Sequence, residues 1–284
     1  MRIIHTIREM QIAADEVRRQ GKRIGVVPTM GYFHEGHLSL IKIVRPRVDV
    51  VVTTIFVNPM QFAPTEDFTR YPRDLKRDTM LAESAGTDIL FVPEAKEMYH
   101  GSFQTHIEVE RLTKTLEGVS RPAHFRGVVT VVGKLFNITK PNVAVFGQKD
   151  AQQAVVIRRM AADLNFDIEI VVAPIIREPD GLAMSSRNVY LSKSEREDAL
   201  TLNKSLKLAE RLVGNGERDA QIIIEQMRKL IGAAPSAQID YVAVSDAETL
   251  EDVQKLALGD NVLVSLAVRI GKTRLIDNCV LTIR

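Results

Sequence analysis

Two histidines three positions apart, His34 and His37, follow a short apolar run that ends at Pro28. Gly36 lies between them and an apolar helical pattern starts at Leu38, so the stretch predicts a strand, a turn and a helix start. Backbone N–H groups at a helix start attract anions, and side chains three residues apart share one face. The pattern therefore indicates a phosphate site with both imidazoles aimed at it.

Two other interpretations of the histidine pair stay open at this point. The spacing would suit metal ligands, although no third ligand close by in sequence completes a zinc set. A structural turn with a histidine near the helix start needs no ligand. Polar residues elsewhere in the chain favour the phosphate site.

Two amide side chains, Asn58 and Gln61, follow the β-branched run 48–57. That run is apolar on both faces, as expected of a central parallel strand. Ligands of open α/β sheets lie outside the carboxyl ends of the strands, and amides can donate to and accept from hydroxyls and carboxylates. Asn58 and Gln61 are therefore candidate substrate-binding residues, although a polar turn alone would explain them.

Two later segments add charge. Lys149 and Asp150 follow another short predicted strand, and Gln153 lies in the first turn of the next helix. The turn at 179–181 leads into Ser185–Arg187, whose hydroxyls and guanidinium form a candidate anion clamp. Lysine can meet a phosphate as a point charge. Two anion-binding and two amide-rich clusters together suggest a nucleotide beside a small polar organic acid.

Composition excludes several broad classes. The 284 residues have a formal net charge of +2 and 45% hydrophobic content, which gives no electrostatic argument for nucleic acid or membrane partners. The single cysteine, Cys279, rules out an internal disulfide and is expected to be a small packing residue. Without a long apolar run or a signal-peptide layout, a cytoplasmic protein is expected.

The elements that must position these residues alternate between strand and helix along the first part of the chain. This alternation predicts an α/β fold with a doubly wound parallel sheet. The end of the chain instead predicts two helices and three strands, the last two joined as a hairpin at 270–272. We expect a domain at 1–176 and a smaller C-terminal α+β domain at 177–284.

Taken together, the motifs closely resemble those of the pantothenate synthetase (pantoate–β-alanine ligase) family over essentially the whole chain. The first and last of them, His-x-Gly-His and Met-Ser-Ser-Arg, are also similar to the signature pair of class I aminoacyl-tRNA synthetases and related nucleotidylyltransferases. The segments that carry the resemblance are 28–31, 34–40, 56–62, 71–73, 124–127, 146–153 and 184–188.

The resemblance implies a Rossmann-like fold and an ATP-dependent ligase that joins pantoate to β-alanine through an acyl adenylate, releasing AMP and pyrophosphate. It also implies Mg²⁺ on the phosphates and a homodimer. Catalytic roles would fall on His34, His37, Lys149 and Arg187. Gln61 would bind pantoate and β-alanine, and Gln153 would bind pantoate. ATP would contact Met30, Gly31, Tyr32, Phe33, His34, Glu35, Gly36, His37, Gly147, Gln148, Lys149, Asp150, Ile176, Met184, Ser185, Ser186 and Arg187.

Further expectations concern the metal and the residues around the site. Either Asp78 or Asp150 is a candidate neighbour of the metal. Four residues flank the site and depart from the pattern common in the family: Tyr32, Phe33, Gln148 and Ala151. Three further histidines are expected to be ordinary surface residues: His100, His106 and His124.

Two other functions use the same features. A nucleotidylyltransferase would leave the nucleotidyl group on a phosphorylated acceptor and release pyrophosphate without any amine, and a nucleotide-sensing module would release none. The amide-rich set Asn58, Gln61 and Gln153 favours the ligase. The ligase hypothesis requires the histidine pair and the serine–arginine segment to close on one triphosphate.

Overall fold

The computed structural model of the protein describes residues 1–64 and 66–284. The chain forms two compact units, each assembled from more than one stretch of sequence. The first unit consists of residues Met1–Thr113, Arg121–Gln148 and Gln153–Pro174. The second consists of Lys114–Ser120, Lys149–Gln152 and Ile175–Arg284.

The first unit contains a six-stranded sheet in which every neighbouring pair is parallel. Its strand order is β1-β4-β3-β2-β5-β6. In chain order the strands are β1 (Arg2–Ile4), β2 (Ile24–Thr29), β3 (Val50–Ile55), β4 (Ile89–Phe91), β5 (Val143–Gly147) and β6 (Glu169–Ala173). The predicted α/β fold with its parallel sheet is confirmed, whereas β1 is too short to show a pattern in the sequence.

The order of the strands reverses at β2. The chain adds β3 and then β4 on one side of β2 before it returns to place β5 on the other side. Such a switch point opens a crevice at the carboxyl ends of the two flanking strands, where ligands of doubly wound sheets bind. The loops after Thr29 and Gly147 start at that crevice.

Helices of the described chain connect these strands and those of the second unit. They are α1 (Ile7–Arg19), α2 (Glu35–Val44), α3 (Leu75–Ala85), α4 (Ala95–Met98), α5 (Glu117–Ser120), α6 (His124–Thr139), α7 (Ala151–Asp163), α8 (Lys193–Gly214) and α9 (Ala220–Gly232). No helix in the described part of the chain is long and apolar enough to cross a membrane.

The core of the first unit holds α2 against the sheet. Leu38, Ile41 and Val44 of α2 pack with Val27 and Val51, which lie on neighbouring strands. Since side chains alternate along a strand, their neighbours on β2 and β3 face the opposite side of the sheet. This packing fixes the axis of α2, and with it the direction in which its first turn points.

The second unit contains an antiparallel sheet in the order β7-β8-β9, formed by Ala237–Asp246, Asn261–Ile270 and Thr273–Thr282. The predicted hairpin is present, because Ile270 pairs with Thr273 across a two-residue turn. One sheet face packs on α8 and α9. Cys279 packs against this core, and burial raises its pKa to about 12, so it is not a thiolate at neutral pH.

Candidate active site

The loop after β2 makes a tight turn before α2. Gly31 has a φ of +83°, and a Cβ there would lie 2.9 Å from Ile55 Cγ2, so only glycine fits. Tyr32 also has a positive φ, of 54°, which costs energy in a residue with a side chain. The backbone N–H of Gly31 donates to Thr29 Oγ1 at 3.1 Å.

A buried carboxylate holds this turn in place. Asp78 of α3 is 1% exposed, and its two oxygens accept the backbone N–H groups of Tyr32 at 2.6 Å and Phe33 at 2.7 Å. Burial raises the pKa of Asp78, while these two hydrogen bonds act in the opposite direction. Asp78 therefore compensates for the strained backbone of Tyr32. The sequence does not show this role, because the two residues are 46 positions apart.

The two predicted histidines lie at the start of α2. His34 is the residue before the first helical turn, and its ring centroid is 4.1 Å from that of His37. The His34 backbone N–H donates to His37 Nδ1 at 3.4 Å, so in the neutral ring the proton is on Nε2, which is a donor. Phe33 is buried in the core and packs against the His37 ring at 5.5 Å.

Asn58 is buried after β3, and both ends of its amide are engaged. Its Oδ1 accepts from the Tyr99 hydroxyl at 2.8 Å and the Met60 backbone N–H at 3.2 Å, while Nδ2 donates to Gln61 Oε1 and to the Gly127 carbonyl. A Cβ on residue 127 would lie 2.3 Å from the Met60 carbonyl oxygen. The close approach of α6 to this turn therefore requires glycine at position 127. These contacts suit Asn58 to orienting Gln61.

Gln61 has side-chain and backbone contacts that fix its position. Its Nε2 lies 3.2 Å from the sulfur of Met30, which places this predicted pantoate ligand beside the turn after β2. Its carbonyl accepts from His124 Nδ1 at 3.0 Å and Arg121 Nη2 at 3.3 Å. Because Arg121 Nη1 can only donate to His124 Nε2, the neutral His124 carries its proton on Nδ1.

His124 corrects one expectation. It is half-buried and holds the Gln61 backbone, so it is not an ordinary surface histidine. His100 and His106 are exposed, as predicted. The sequence does not identify Tyr99 as a hydrogen-bond partner of Asn58, because nothing in its local sequence links the two residues, which lie 41 positions apart.

The second unit carries the remaining predicted anion ligands. Lys149 is half-buried, with Nζ 3.7 Å from a carboxylate oxygen of the exposed Asp150. The backbone N–H of Met184 donates to the Ile176 carbonyl at 3.0 Å, which places these two predicted ATP residues side by side. Ser185 Oγ accepts the Arg187 backbone N–H at 3.2 Å and starts a short 3-10 helix.

The other predicted residues have simpler positions. Gly147 ends β5 beside the switch point, followed by the half-buried Gln148, while Gln153 lies in the first turn of α7. Glu35 is exposed on α2 and pairs with Lys42. Ala151 is buried.

The described residues do not form a magnesium site of their own. They contain no group of three or more His, Cys, Asp or Glu side chains that could hold a metal ion. Both oxygens of Asp78 accept backbone N–H groups, and Asp150 faces Lys149. Mg²⁺ in proteins commonly takes only one or two carboxylates together with substrate phosphates, so any magnesium here would need the nucleotide.

Comparisons with known proteins agree with these features. The family model described as pantoate-beta-alanine ligase matches residues 2–280. A pantothenate synthetase of Chloroherpeton thalassium is 54% identical over 98% of this chain and 99% of its own length, and one of Geobacter sulfurreducens is 56% identical over 99% of each.

Solved structures give the same result. A pantothenate synthetase from Thermus thermophilus superposes with a TM-score of 0.91 at 43% identity, covering 98% of this chain and 99% of that one. A pantoate-beta-alanine ligase from Francisella tularensis, complexed with beta-gamma ATP and beta-alanine, superposes with a TM-score of 0.82 at 36% identity over 98% and 97%. The chain therefore belongs to the pantoate-beta-alanine ligase family, the AMP-forming ligases that make a carbon–nitrogen bond.

Proposed function

We propose that this enzyme condenses pantoate with β-alanine through a pantoyl adenylate, using ATP and releasing AMP and pyrophosphate. The observation that carries the proposal is the paired histidine rings at the N-terminus of α2, beside the switch point of the sheet. A helix N-terminus offers backbone N–H groups to an anion, and the neutral His37 ring adds an Nε2 donor at the same end of α2, which suits the binding of phosphate. The Francisella relative, whose structure contains beta-gamma ATP and beta-alanine, adds support.

A carboxylate needs activation before an amine can displace one of its oxygens. In the first step a pantoate carboxylate oxygen attacks the α-phosphorus of ATP, a P–O bond forms, and the bond to pyrophosphate breaks. Negative charge grows on the phosphate oxygens and the leaving group. His34, His37 and Lys149 would stabilise that charge by donating hydrogen bonds or by their own charge, together with Ser185, Ser186 and Arg187.

In the second step the β-alanine amine attacks the acyl carbon of the mixed anhydride. The new C–N bond replaces the C–O bond, AMP leaves, and the amine loses a proton. Gln61 would orient pantoate and β-alanine, Gln153 would bind pantoate, and Asn58 would hold Gln61. No covalent intermediate on the enzyme is needed.

Magnesium would enter this reaction with the nucleotide. Since the described residues form no metal cluster, Mg²⁺ would reach the enzyme bound to the phosphates of ATP and reduce their charge. The family resemblance also leads us to propose a homodimer, which sedimentation of the purified chain tests directly.

Mass spectrometry of reactions containing ATP, pantoate and β-alanine, with each omitted in turn, tests the proposal. We expect pantothenate and AMP only in the complete mixture. With β-alanine omitted, we expect enzyme-bound pantoyl adenylate and at most one equivalent of pyrophosphate. Nucleotidyl transfer to a phosphorylated acceptor, supplied without any amine, would instead indicate a nucleotidylyltransferase, and AMP formation without any adenylate would contradict the two-step route.

A further inference from the structure

Two neighbouring polar side chains are buried in the middle of β9. Asp277 is 2% exposed and Asn278 is 3% exposed, and they pair with Leu266 and Ser265 of β8. Because side chains alternate along a strand, the two point to opposite faces of the sheet. A buried carboxylate and a buried amide are costly unless other groups satisfy them, so their partners indicate what they do.

The Asp277 carboxylate binds Arg177 through two parallel hydrogen bonds. Arg177 Nη1 donates to Asp277 Oδ2 at 2.7 Å, and Nη2 donates to Oδ1 at 3.0 Å. Nη1 also donates to the carbonyl of Gly181 at 3.2 Å. This forked pairing fixes the orientation of the guanidinium as well as its charge.

Arg177 belongs to a small hairpin that leads into the predicted ATP residues. It forms an isolated antiparallel bridge with Ala183, and the next pair is closed by Met184 N–H donating to the Ile176 carbonyl at 3.0 Å. Gly181 makes the turn with a φ of +96°. Asp277 therefore anchors the hairpin from which the segment Met184–Arg187 continues.

Asn278 anchors the other predicted anion-binding segment of this unit. Its Nδ2 donates to the Lys149 carbonyl oxygen at 3.0 Å. Its backbone N–H donates to Asp277 Oδ1 at 2.8 Å, so the two anchors are directly linked. At the other end of the Lys149–Gln152 segment, the Gln152 amide bonds to the Thr115 carbonyl and the Glu117 N–H, each at 2.9 Å.

We propose that Asp277 and Asn278 are positioning residues for ATP, holding the backbone of Met184–Arg187 and of Lys149 at one fixed spacing. This inference rests on the proposed ATP-binding role of those segments. An apolar pair would usually serve stability at least as well as a buried ion pair. What Asp277 adds is a fixed orientation of the Arg177 guanidinium. What Asn278 adds is a hydrogen-bond donor directed at the Lys149 carbonyl oxygen.

Asn278→Ala and Asn278→Asp test the amide. Calorimetric titration with ATP and magnesium, scaled to the folded fraction, should give a Kd raised about three- to tenfold in Asn278→Ala, the range expected for losing one hydrogen bond. Asn278→Asp has nearly the same shape but places an acceptor against the Lys149 carbonyl. Asn278→Asp should weaken ATP binding at least as much as Asn278→Ala does. If Asn278 only filled space, Asn278→Asp would be the milder change.

Arg177→Lys tests the carboxylate without leaving Asp277 unpaired, and it covers the case in which an Asn278 variant does not fold. Lysine keeps the charge but loses the fork, so the Kd for ATP should again rise about three- to tenfold. Thr282→Ala is the matched control, because it removes a side-chain hydrogen bond to Asn261 at the end of the same strand. That variant should bind ATP like wild type.

Pantoate titrated alone separates positioning from general damage. Its Kd should stay within about twofold of wild type in the folded variants. An unchanged Kd for ATP in Asn278→Ala, Asn278→Asp and Arg177→Lys, or an equal loss for pantoate, would overturn the inference. Wild-type protein that binds ATP but forms no pantothenate would refute the proposed function alone, and wild-type protein that does not bind ATP would refute both.

Discussion

An imidazole stabilises a developing negative charge only when the protein holds it in place before the charge forms. His37 meets this condition, since its ring packs on Phe33, lies 4.1 Å from His34 by centroid, and has Nδ1 committed to a backbone N–H. Little reorganisation of this ring would then be needed in the proposed adenylate-forming step.

We expect His37→Ala to slow adenylate formation by about 100-fold or more, the scale of losing one preorganised donor. Rapid quench of a single turnover, with pyrophosphate as the measured product, gives this rate directly. His100→Ala is the control, because that exposed ring contacts Ser102 and Phe103 and no predicted site residue. A near-normal rate of adenylate formation in His37→Ala would show that His37 does not take part in the catalytic step.

Gln61 offers a second test at the scale of one side chain. Gln61→Ala should weaken pantoate about tenfold and ATP by less than about twofold, because an unpaired polar group of a bound substrate is costly. Separate titration of each ligand measures both constants, with the exposed Gln104 changed to Ala as the control. Equal losses of affinity for pantoate and ATP would mean that Gln61 maintains the structure of the site and does not bind pantoate specifically.

At this scale the sequence identifies the candidate catalytic and binding side chains more readily than the residues that hold those side chains in place. His34, His37, Gln61 and Lys149 could be proposed from residue type and from their places at strand ends. Partners such as Tyr99 could not, because they come from distant parts of the chain and carry no local pattern of their own.

The element that matters most is the turn between β2 and α2, since its geometry depends on Asp78 of α3. Removing that carboxylate leaves the buried N–H groups of Tyr32 and Phe33 without acceptors. Each such loss costs about 1–3 kcal/mol.

Asp78→Ala should therefore lower the free energy of unfolding by about 3 kcal/mol, measured by urea denaturation at neutral pH. Asp74→Ala is a control on the same helix, because it removes an N-cap bond to Arg77 and should cost about 1 kcal/mol. Equal effects of the two variants would show that the turn does not depend on Asp78.

The loop after Gln61 is held by an ion pair between Glu66 and Arg121, with Nε 2.6 Å from the carboxylate. Burial alone would raise the pKa of Glu66. The hydrogen bonds and charge of Arg121, together with the backbone N–H of Ala63 and the nearby His124, outweigh burial, so the pKa lies below its usual value. The stabilisation is then present above the unfolded-state pKa of about 4.3 and is lost as pH falls through the lower folded-state value.

We expect Glu66→Gln to lower the free energy of unfolding by about 1 kcal/mol at pH 7, since the pair is partly exposed. The difference from wild type should begin to shrink below the unfolded-state pKa of about 4.3 and disappear as the pH falls through the lower folded-state pKa, where the native carboxylate becomes protonated. Denaturation curves from pH 3 to 8 measure it, and a difference that stays constant across this range would contradict the ionic explanation.

Elements with long, regular patterns were predictable. The run at 48–57, predicted to be a central parallel strand, contains β3. The residues 114–120 and 149–152 were not recognisable as parts of the second unit. Their places depend on contacts between distant segments, such as the Arg274 guanidinium on both oxygens of the buried Glu117.

At the scale of the whole molecule, the predicted ATP residues occur in both compact units. The histidine turn belongs to the first, while Lys149 and Ser185–Arg187 belong to the second. The separate hydrophobic cores would let each unit keep its own structure without nucleotide. A ligand that contacts both sets should therefore reduce local opening in both units at once.

Hydrogen exchange with and without ATP and magnesium tests this coupling. We expect amides in peptides covering 30–38 and 184–190 to exchange at least about tenfold more slowly with saturating ATP, because binding suppresses local opening. Peptides covering 17–23 and 246–251, one from each unit and without predicted site residues, should be unchanged. In Arg187→Ala both protected segments should lose protection together, since one ligand links them. Slowing confined to 30–38 would mean that the serine–arginine segment does not bind the nucleotide held by the histidines.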